Sequence, residues 1–370
     1  MQKRLFRLLA VIPLLFAAIP APAQDVSEEF IKTYRAYDRA YRQGNLERAS
    51  ELAEKTLRIA VDELGPDHEK IPVLLINLGH VRLLNGNIDD AEKYLTEAKG
   101  LIKDEHDDAR GNRITIHEDM ARIHASRDEL EKSRAELDKA IDLRSRENGD
   151  DDPAIADLLD MKARLEIARQ EFDSAESLLN QGMKIIEKNY GKDSNRIAGF
   201  LSSLGDLAVL RDQLDKAEKL YLQGLAILNK NLLADDPNVL GMHQKLANLY
   251  IAMGSDKFMS HADTFIAESD LKEGAALPYF VIKPDKPGGA NIDSGWVLLE
   301  MTVTETGHVQ NPRVIESRPP GVLDSVTLNA ARKWRFKPKI EDGERLAQPK
   351  TRARIVFQGD KVEVHLGEMG

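Results

Sequence analysis

Two hydrophobic periods divide this chain. Through residues 24–270 apolar side chains recur three and four apart, the spacing that lays one stripe along a helix. Between Gly295 and Phe357 they largely alternate, the spacing of half-buried strands, with one helical stretch between. The helical pattern also repeats as a whole. Gly44, Gly86, Asp128, Gln170, Asp212 and Gly254 stand 42 residues apart, followed at the same step by Leu46, Ile88, Leu130, Phe172 and Leu214 and by Ala49, Ala91, Ser133, Ala175 and Ala217. Gly79, Ala121, Ala163, Gly205 and Ala247 keep a small residue on the first helix of each pair, and Leu95, Leu137, Leu179 and Tyr221 keep a large one on the second. Small positions let two antiparallel helices approach closely, and large ones fill the space between pairs.

This pattern resembles the tetratricopeptide repeat in its 42-residue form, as in kinesin-light-chain-like arrays, with Leu78-Gly79 and Leu204-Gly205 on first helices and Ala91, Ala175 and Ala217 on second ones. The resemblance implies an all-α solenoid of about five to six helical hairpins whose first helices line a protein-binding face. By the family's register that face includes Ile76, His80, Leu83, Glu118, Arg122, Asp160, Arg164, Ser202, Asp206, Gln244 and Asn248. Asp67, Asp151, Asp193 and Asp235 recur between repeats and are expected to cap the following helices. Pro153 and Pro237 follow two residues later, where a first-turn proline costs nothing.

Near the other end, Trp296 to Val303 and Val309 to Ser317 predict a hairpin around Thr306-Gly307-His308, because Gly307 can take positive φ. Arg318-Pro319-Pro320-Gly321 ends it. Leu323, Val326, Ala330, Ala331 and Trp334 share a helical face, with Asp324 or Ser325 as cap and the helix running out through Ala331 to Pro338. A last strand, Thr351 to Phe357, puts Thr351, Ala353, Ile355 and Phe357 on one face and Arg352 and Arg354 on the other. Gly295-Trp296-Val297, Thr306-Gly307-His308-Val309, Leu323-Asp324, Trp334-Arg335-Phe336-Lys337-Pro338 and Ile355-Val356-Phe357, in that order, resemble the C-terminal domain of TonB-type energy transducers. The resemblance implies a small α+β domain that binds by accepting an extended segment of an outer-membrane transporter onto a strand edge. Carried over by position, the contact residues are Lys283, Pro284, Lys286 and Pro287, then Arg352, Arg354 and Val356 at the edge. The family's Gln and Tyr beside the two prolines are absent here.

The first residues change the setting. Lys3, Arg4 and Arg7 precede the apolar stretch Leu8–Ile19 and Ala21-Pro22-Ala23, the pattern of a cleaved secretory signal. The 12 residues of that stretch reach about 18 Å as a helix, against roughly 30 Å of hydrocarbon core. The expected organisation is a signal peptide at 1–23, repeats at 24–270, a linker at 271–290, the TonB-like domain at 291–360 and a tail at 361–370. The compartment implied is the Gram-negative periplasm, with membrane contact only if the leader stays on.

The formal charge is −10, and −13 without the three leader cations; residues 278–370 carry +2, which leaves −15 on 24–277. So acidic a body excludes nucleic acid as a partner. The basic run Arg332, Lys333, Arg335, Lys337 and Lys339 reads either as a helix end matched to its dipole or as a surface for an acidic partner. With no cysteine there is no disulfide or thiol chemistry. His117, Glu118 and His124 do not make H-E-x-x-H, since Ala121 stands where the second histidine is needed, so no metal is expected. No nucleophile motif or phosphate loop occurs, and no cofactor or small-molecule substrate is implied. The expectation is a periplasmic, non-enzymatic adaptor in TonB-linked outer-membrane transport, whose partner is a TonB-dependent transporter or another envelope protein. The alternatives are a self-associating assembly or stress scaffold and an anchored energy transducer.

Overall fold

The computed structural model describes residues 26–103, 109–286, 294–359 and 361–366. The leader and Pro287 lie outside these residues. The chain falls into two compact units that part between Gly191 and Lys192.

The first unit pairs α1 (Glu28–Arg42) with α2 (Leu46–Leu64), α3 (Ile71–Leu84) with α4 (Ile88–Leu101), α5 (Ala109–Ser126) with α6 (Leu130–Asn148), and α7 (Pro153–Ala168) with α8 (Phe172–Tyr190). The second continues the pattern with α9 (Asn195–Leu210) against α10 (Leu214–Asn231) and α11 (Pro237–Ala252) against α12 (Phe258–Glu268). The 42-residue step is a backbone event. Gly44, Gly86, Asp128, Gln170, Asp212 and Gly254 all turn the chain at positive φ, between 57° and 80°, and the carbonyl of the residue four before each is reused by the next helix start, as when Asn87 N–H donates to Arg82 O.

Close approach explains the small positions. A β-carbon on Gly79 would stand 2.9 Å from Leu95, and one on Gly205 only 2.3 Å from the ring of Tyr221. The caps differ from expectation by one residue. Asp152 and Asp236, not Asp151 and Asp235, accept the N–H groups of Ala154 and Asn238, and Ser194 caps α9. Asp151 and Asp193 instead take the ammonium groups of Lys188 and Lys230, while Asn189 and Asn231 donate to their carbonyls at 2.9 and 2.8 Å. The recurring aspartate therefore ties the start of a hairpin's first helix to the end of its second. Pro153 and Pro237 do open their helices.

After α12 the chain forms β1 (Leu277–Phe280), β2 (Ser294–Val303), β3 (Val309–Arg318), α13 (Asp324–Lys333), β4 (Arg335–Lys337), β5 (Lys339–Glu341), β6 (Glu344–Leu346), β7 (Gln348–Gln358) and β8 (Lys361–Leu366). The main sheet is antiparallel in the order β3-β2-β7-β8. Its inner face, Val297, Leu299, Met301, Val303, Ala353, Ile355 and Phe357, packs with Leu323, Ala331, Trp334 and Phe336 into one core, to which Val362 and Val364 of β8 add.

Three sequence expectations change here. The helix ends at Lys333 rather than Pro338, because Arg335–Lys337 extends and pairs with β1. Leu323 occupies the cap position, with no side-chain cap bond from Asp324 or Ser325. The segment expected as a linker holds β1, whose Phe280 is buried in the core of α9–α12.

Candidate protein-interaction surfaces

In the first unit the predicted groove residues are not all available. Ile76 and His80 are buried, and Leu83, Arg122 and Arg164 are half-buried. His80 stands in a polar chain running across three successive first helices. Tyr41 Oη lies 3.1 Å from its Nε2, Asp119 Oδ2 lies 2.8 Å from its Nδ1, and Arg122 donates to the other oxygen of Asp119 at 2.7 Å. Asp119 is fully enclosed; burial pushes its carboxyl up, but His80 and Arg122 outweigh that and hold it below the usual carboxylate range. Glu118 is buried too, and two bonds from Arg144 at 2.9 and 2.8 Å satisfy it, while burial keeps its carboxyl above the ordinary value. His117 and His124 face separate carboxylates, Glu136 and Glu129. The Tyr41–His80–Asp119 chain therefore joins three repeats, while the contacts of Glu118, His117 and His124 close the α5–α6 hairpin on itself. Arg164 pairs with Asp160 on its own helix at 2.8 Å.

In the second unit Asp206 accepts from Tyr221 Oη at 2.6 Å and from Lys245, while Gln244 and Asn248 are exposed. Sequence reasoning missed the neighbouring pair His243 and His261, whose Nδ1 atoms lie 2.9 Å apart between α11 and α12. Burial, and then the proximity of His243, pushes His261 down to about 4.

The basic run near the C-terminal helix is spent inside this unit. Arg335, which is buried, donates to Asp263 of α12 at 2.5 Å, and His308 Nε2 reaches the same carboxylate at 3.0 Å. Lys333 pairs with Asp256 at 2.6 Å, and Lys337 donates to the carbonyl of Lys272 at 2.6 Å. Trp334 Nε1 donates to Ile282 O at 2.8 Å, and Arg345 to Ala267 O at 2.9 Å. The acidic partner that the run could serve is largely the chain's own last hairpin. The signal was present in the sequence, since Asp256 and Asp263 lie on the acidic body, but nothing in spacing connects them to residues more than 70 positions away.

Of the residues carried over for partner contact, Lys283 is exposed, Pro284 buried and Lys286 half-buried. The expected open edge is corrected. β8 pairs with β7 through six residues, with Val356 opposite Glu363 and Arg354 opposite His365, so that stretch of backbone is already hydrogen-bonded to the chain's own tail. Arg352 lies just beyond the paired stretch and is exposed. What Arg352 and Arg354 do form is the outer sheet face. Arg354 stacks on Trp296 at 4.5 Å with Arg318 near the same ring at 5.7 Å, and Glu300 accepts from Arg313 at 2.5 Å and Arg352 at 3.3 Å. The bond from Arg313, helped by Arg352, holds Glu300 below the usual range.

Residues 33–103 and 112–188 match the tetratricopeptide repeat, and residues 291–358 match the Gram-negative bacterial TonB protein C-terminal region. The chain is a tetratricopeptide-repeat protein with a TonB C-terminal domain. The first module is a protein-interaction scaffold, and the second points to association with the Gram-negative envelope. Among solved structures, the apo form of RapI is similar, at 15% identity over 65% of this chain and 88% of that one, with a TM-score of 0.50, a likeness of fold. BtubC (BKLC) from P. vanneervenii is 17% identical over 70% of this chain and 98% of its own, with a TM-score of 0.49. No curated protein matches the chain. Among the described residues no helix is long and apolar enough to cross a membrane.

Proposed function

We propose that this chain is a periplasmic adaptor in TonB-linked outer-membrane transport, exported by removal of Met1–Ala23. The observation that carries the reading is the seat of the TonB domain on α12: Asp263 holds both Arg335 and His308. Fastened in this way, the TonB domain moves with the last hairpin, so a protein held by α9–α12 is delivered to whatever the TonB domain meets. On the repeats the exposed Asn248 and Gln244 and the half-buried Leu83, Arg122, Arg164 and Asp206 are the contact residues. On the TonB domain the partner meets side chains of the outer sheet face, Arg352, Arg354 and Trp296, and the exposed Lys283, rather than the edge of β7. Tyr, Trp and Arg at half-exposed positions are the side chains that carry most interface energy.

A photo-crosslinking residue at Arg352 in intact cells tests this. Adducts with an outer-membrane transporter are expected. Adducts with copies of this chain alone, or none while the protein is exported and folded, overturn it. A second reading, a self-associating envelope scaffold, is favoured by β8, one side of which is unpaired among the described residues.

A further inference from the structure

Leu323, Ala331 and Trp334 cover one face of the main sheet. The other carries four arginines on two strands, Arg313 and Arg318 on β3 and Arg352 and Arg354 on β7, and between them β2 presents Trp296, Leu298 and Glu300. The register sorts these into two sets. In the first, Glu300 stands directly opposite both Arg313 and Arg352 and accepts from each, at 2.5 and 3.3 Å. In the second, Trp296 stands opposite Arg318, with Arg354 on the diagonal across β7, and the two guanidiniums lie 5.7 and 4.5 Å from its ring. Among the described residues Arg354 has no carboxylate within ion-pair distance, and its Nε is enclosed without an acceptor. The remaining acids of this face are placed otherwise. Glu316 reaches Arg318 at 3.6 Å along its own exposed strand, and Glu363 lies 3.4 Å from His365 on β8.

We propose that this face binds an acidic amphipathic helix of the partner protein, whose carboxylates seat between Arg318 and Arg354 over Trp296. The inference rests on the reading that the partner meets the outer sheet face, and it names what the partner brings. The chain carries its own template. Glu300 shows that a carboxylate over the middle strand takes an arginine from each side. At Trp296 and Leu298 the same strand is apolar, so two further arginines flank a floor that has no acid of its own. Arginine rather than lysine suits the task, since a guanidinium stacks on the indole and still donates two parallel bonds to a carboxylate. Spacing selects a helix. β3 and β7 stand two strand separations apart, about 10 Å, which is about the width of an α-helix. A helix lying along β2 rests its apolar stripe on the half-buried Trp296 and Leu298 and extends acids from both flanks to the two arginine columns. An anionic membrane fits less well. Residues 278–370 carry only +2 in total, with acids interspersed among the arginines, whereas lipid surfaces are held by clustered basic residues.

The test is calorimetric titration of the exported chain with a capped helical peptide of about three turns, leucine along one stripe and glutamate on both flanks. The same peptide with glutamine for glutamate, and phosphatidylglycerol vesicles, are titrated beside it, and far-UV circular dichroism confirms that each variant is folded. The glutamate peptide should bind, and the glutamine peptide roughly tenfold more weakly. Arg354→Gln should weaken binding roughly tenfold, and Arg318→Gln, already near Glu316, by less. Glu300→Gln should tighten it roughly threefold, because Arg313 and Arg352 are released to the peptide, an effect that damage to the fold cannot produce. Two peptides that bind alike or not at all, an Arg354→Gln variant without effect, or binding to the vesicles but not to the glutamate peptide overturns the proposal. If it fails while Arg352 still crosslinks to a transporter, the adaptor reading stands without the acidic helix. If the peptide binds as expected while Arg352 captures no transporter in cells, the adaptor reading alone falls.

Discussion

The helical repeats and the TonB domain are held by contacts of different kinds. In the repeats the reach is short and recurrent. His80 meets residues 39 positions away on either side, at Tyr41 and Asp119, and Lys188 and Lys230 each reach an aspartate 37 positions back. The TonB domain is seated by single, long-range contacts, Arg335 to Asp263 across 72 positions and Lys333 to Asp256 across 77. A repeat array shares its stability among neighbouring copies of the same interface. A domain with one core and one seat has no spare copy, so single substitutions there should cost more and spread further.

The widest difference should come from Trp334→Ala. The indole is fully buried among Val297, Phe336 and Leu323 and its N–H is bonded, so truncation should cost about 3–5 kcal/mol through a cavity and an orphaned carbonyl. Trp296 is then the only tryptophan left, since the chain has two. Urea denaturation should show its fluorescence transition moving to lower denaturant while the helical signal of the repeats stays near its wild-type midpoint. Coincident transitions would erase the distinction between shared and unshared stability.

Asp263→Ala probes the seat itself. It removes the carboxylate from Arg335, which is buried, and from His308, so the cost should be about 1–3 kcal/mol, most of it the guanidinium left without its partner. Hydrogen exchange at Leu277–Phe280, paired to the strand that carries Arg335, should speed up while the core of β2 and β7 stays protected. Unchanged exchange would mean that apolar contact through Phe280 suffices.

What could be read from sequence follows the same division. A 42-residue step is redundant information: six turn residues and five small positions report one geometry, so Ser133 in place of alanine, or Gln170 in place of glycine, does not hide it. Register within the repeat was also legible, as Gly79 on Leu95 and Gly205 on Tyr221 show. Exposure was not, because periodicity places His80 on a first helix but says nothing of Tyr41 and Asp119 closing over it. In the TonB domain the alternating strands were legible one by one. The fate of Arg335-Phe336-Lys337 was not, since the apolar stripe of α13 continues through Trp334 and only pairing with Leu277–Phe280 decides that the next residues extend. The same reason hid β8. Lys361 to Leu366 alternates, but whether it lies free or on β7 is settled by tertiary pairing.

Within the last hairpin, acid acts on one histidine pair. His261 is pushed down to about 4 from an ordinary 6.5, by burial first and then by His243, itself lowered by burial. A histidine depressed in the folded state takes up its proton less readily than the unfolded chain does. Its contribution is therefore complete above about pH 6.5 and drains away as pH falls toward 4. Allowing for its half exposure, about 1–2 kcal/mol should be lost across that window. His261→Phe should flatten that part of the stability profile, and an unaltered profile would remove the pair from the account.

The smallest effect tests the claim of shared stability from the favourable side. Gln170 turns the chain at φ 64° where Gly44, Gly86 and Gly254 do the same without a side chain. A left-handed residue other than glycine costs roughly 1–2 kcal/mol, and the greater freedom of glycine in the unfolded chain returns part of that. Gln170→Gly should therefore stabilise by no more than about 1 kcal/mol, seen as a small rise in the urea midpoint of the helical signal. The contrast is Gly307 in the TonB domain, also at positive φ, where a β-carbon would stand 2.1 Å from the carbonyl oxygen of Phe336. The turn within each hairpin tolerates Asp128, Gln170 and Asp212, since a β-carbon at the equivalent Gly44, Gly86 or Gly254 meets nothing within 4 Å, whereas the turn before β3 is pressed onto β4 and admits glycine alone. A rise on Gln170→Gly together with loss of the sheet on Gly307→Ala would set the two regions apart at the level of a single methyl group.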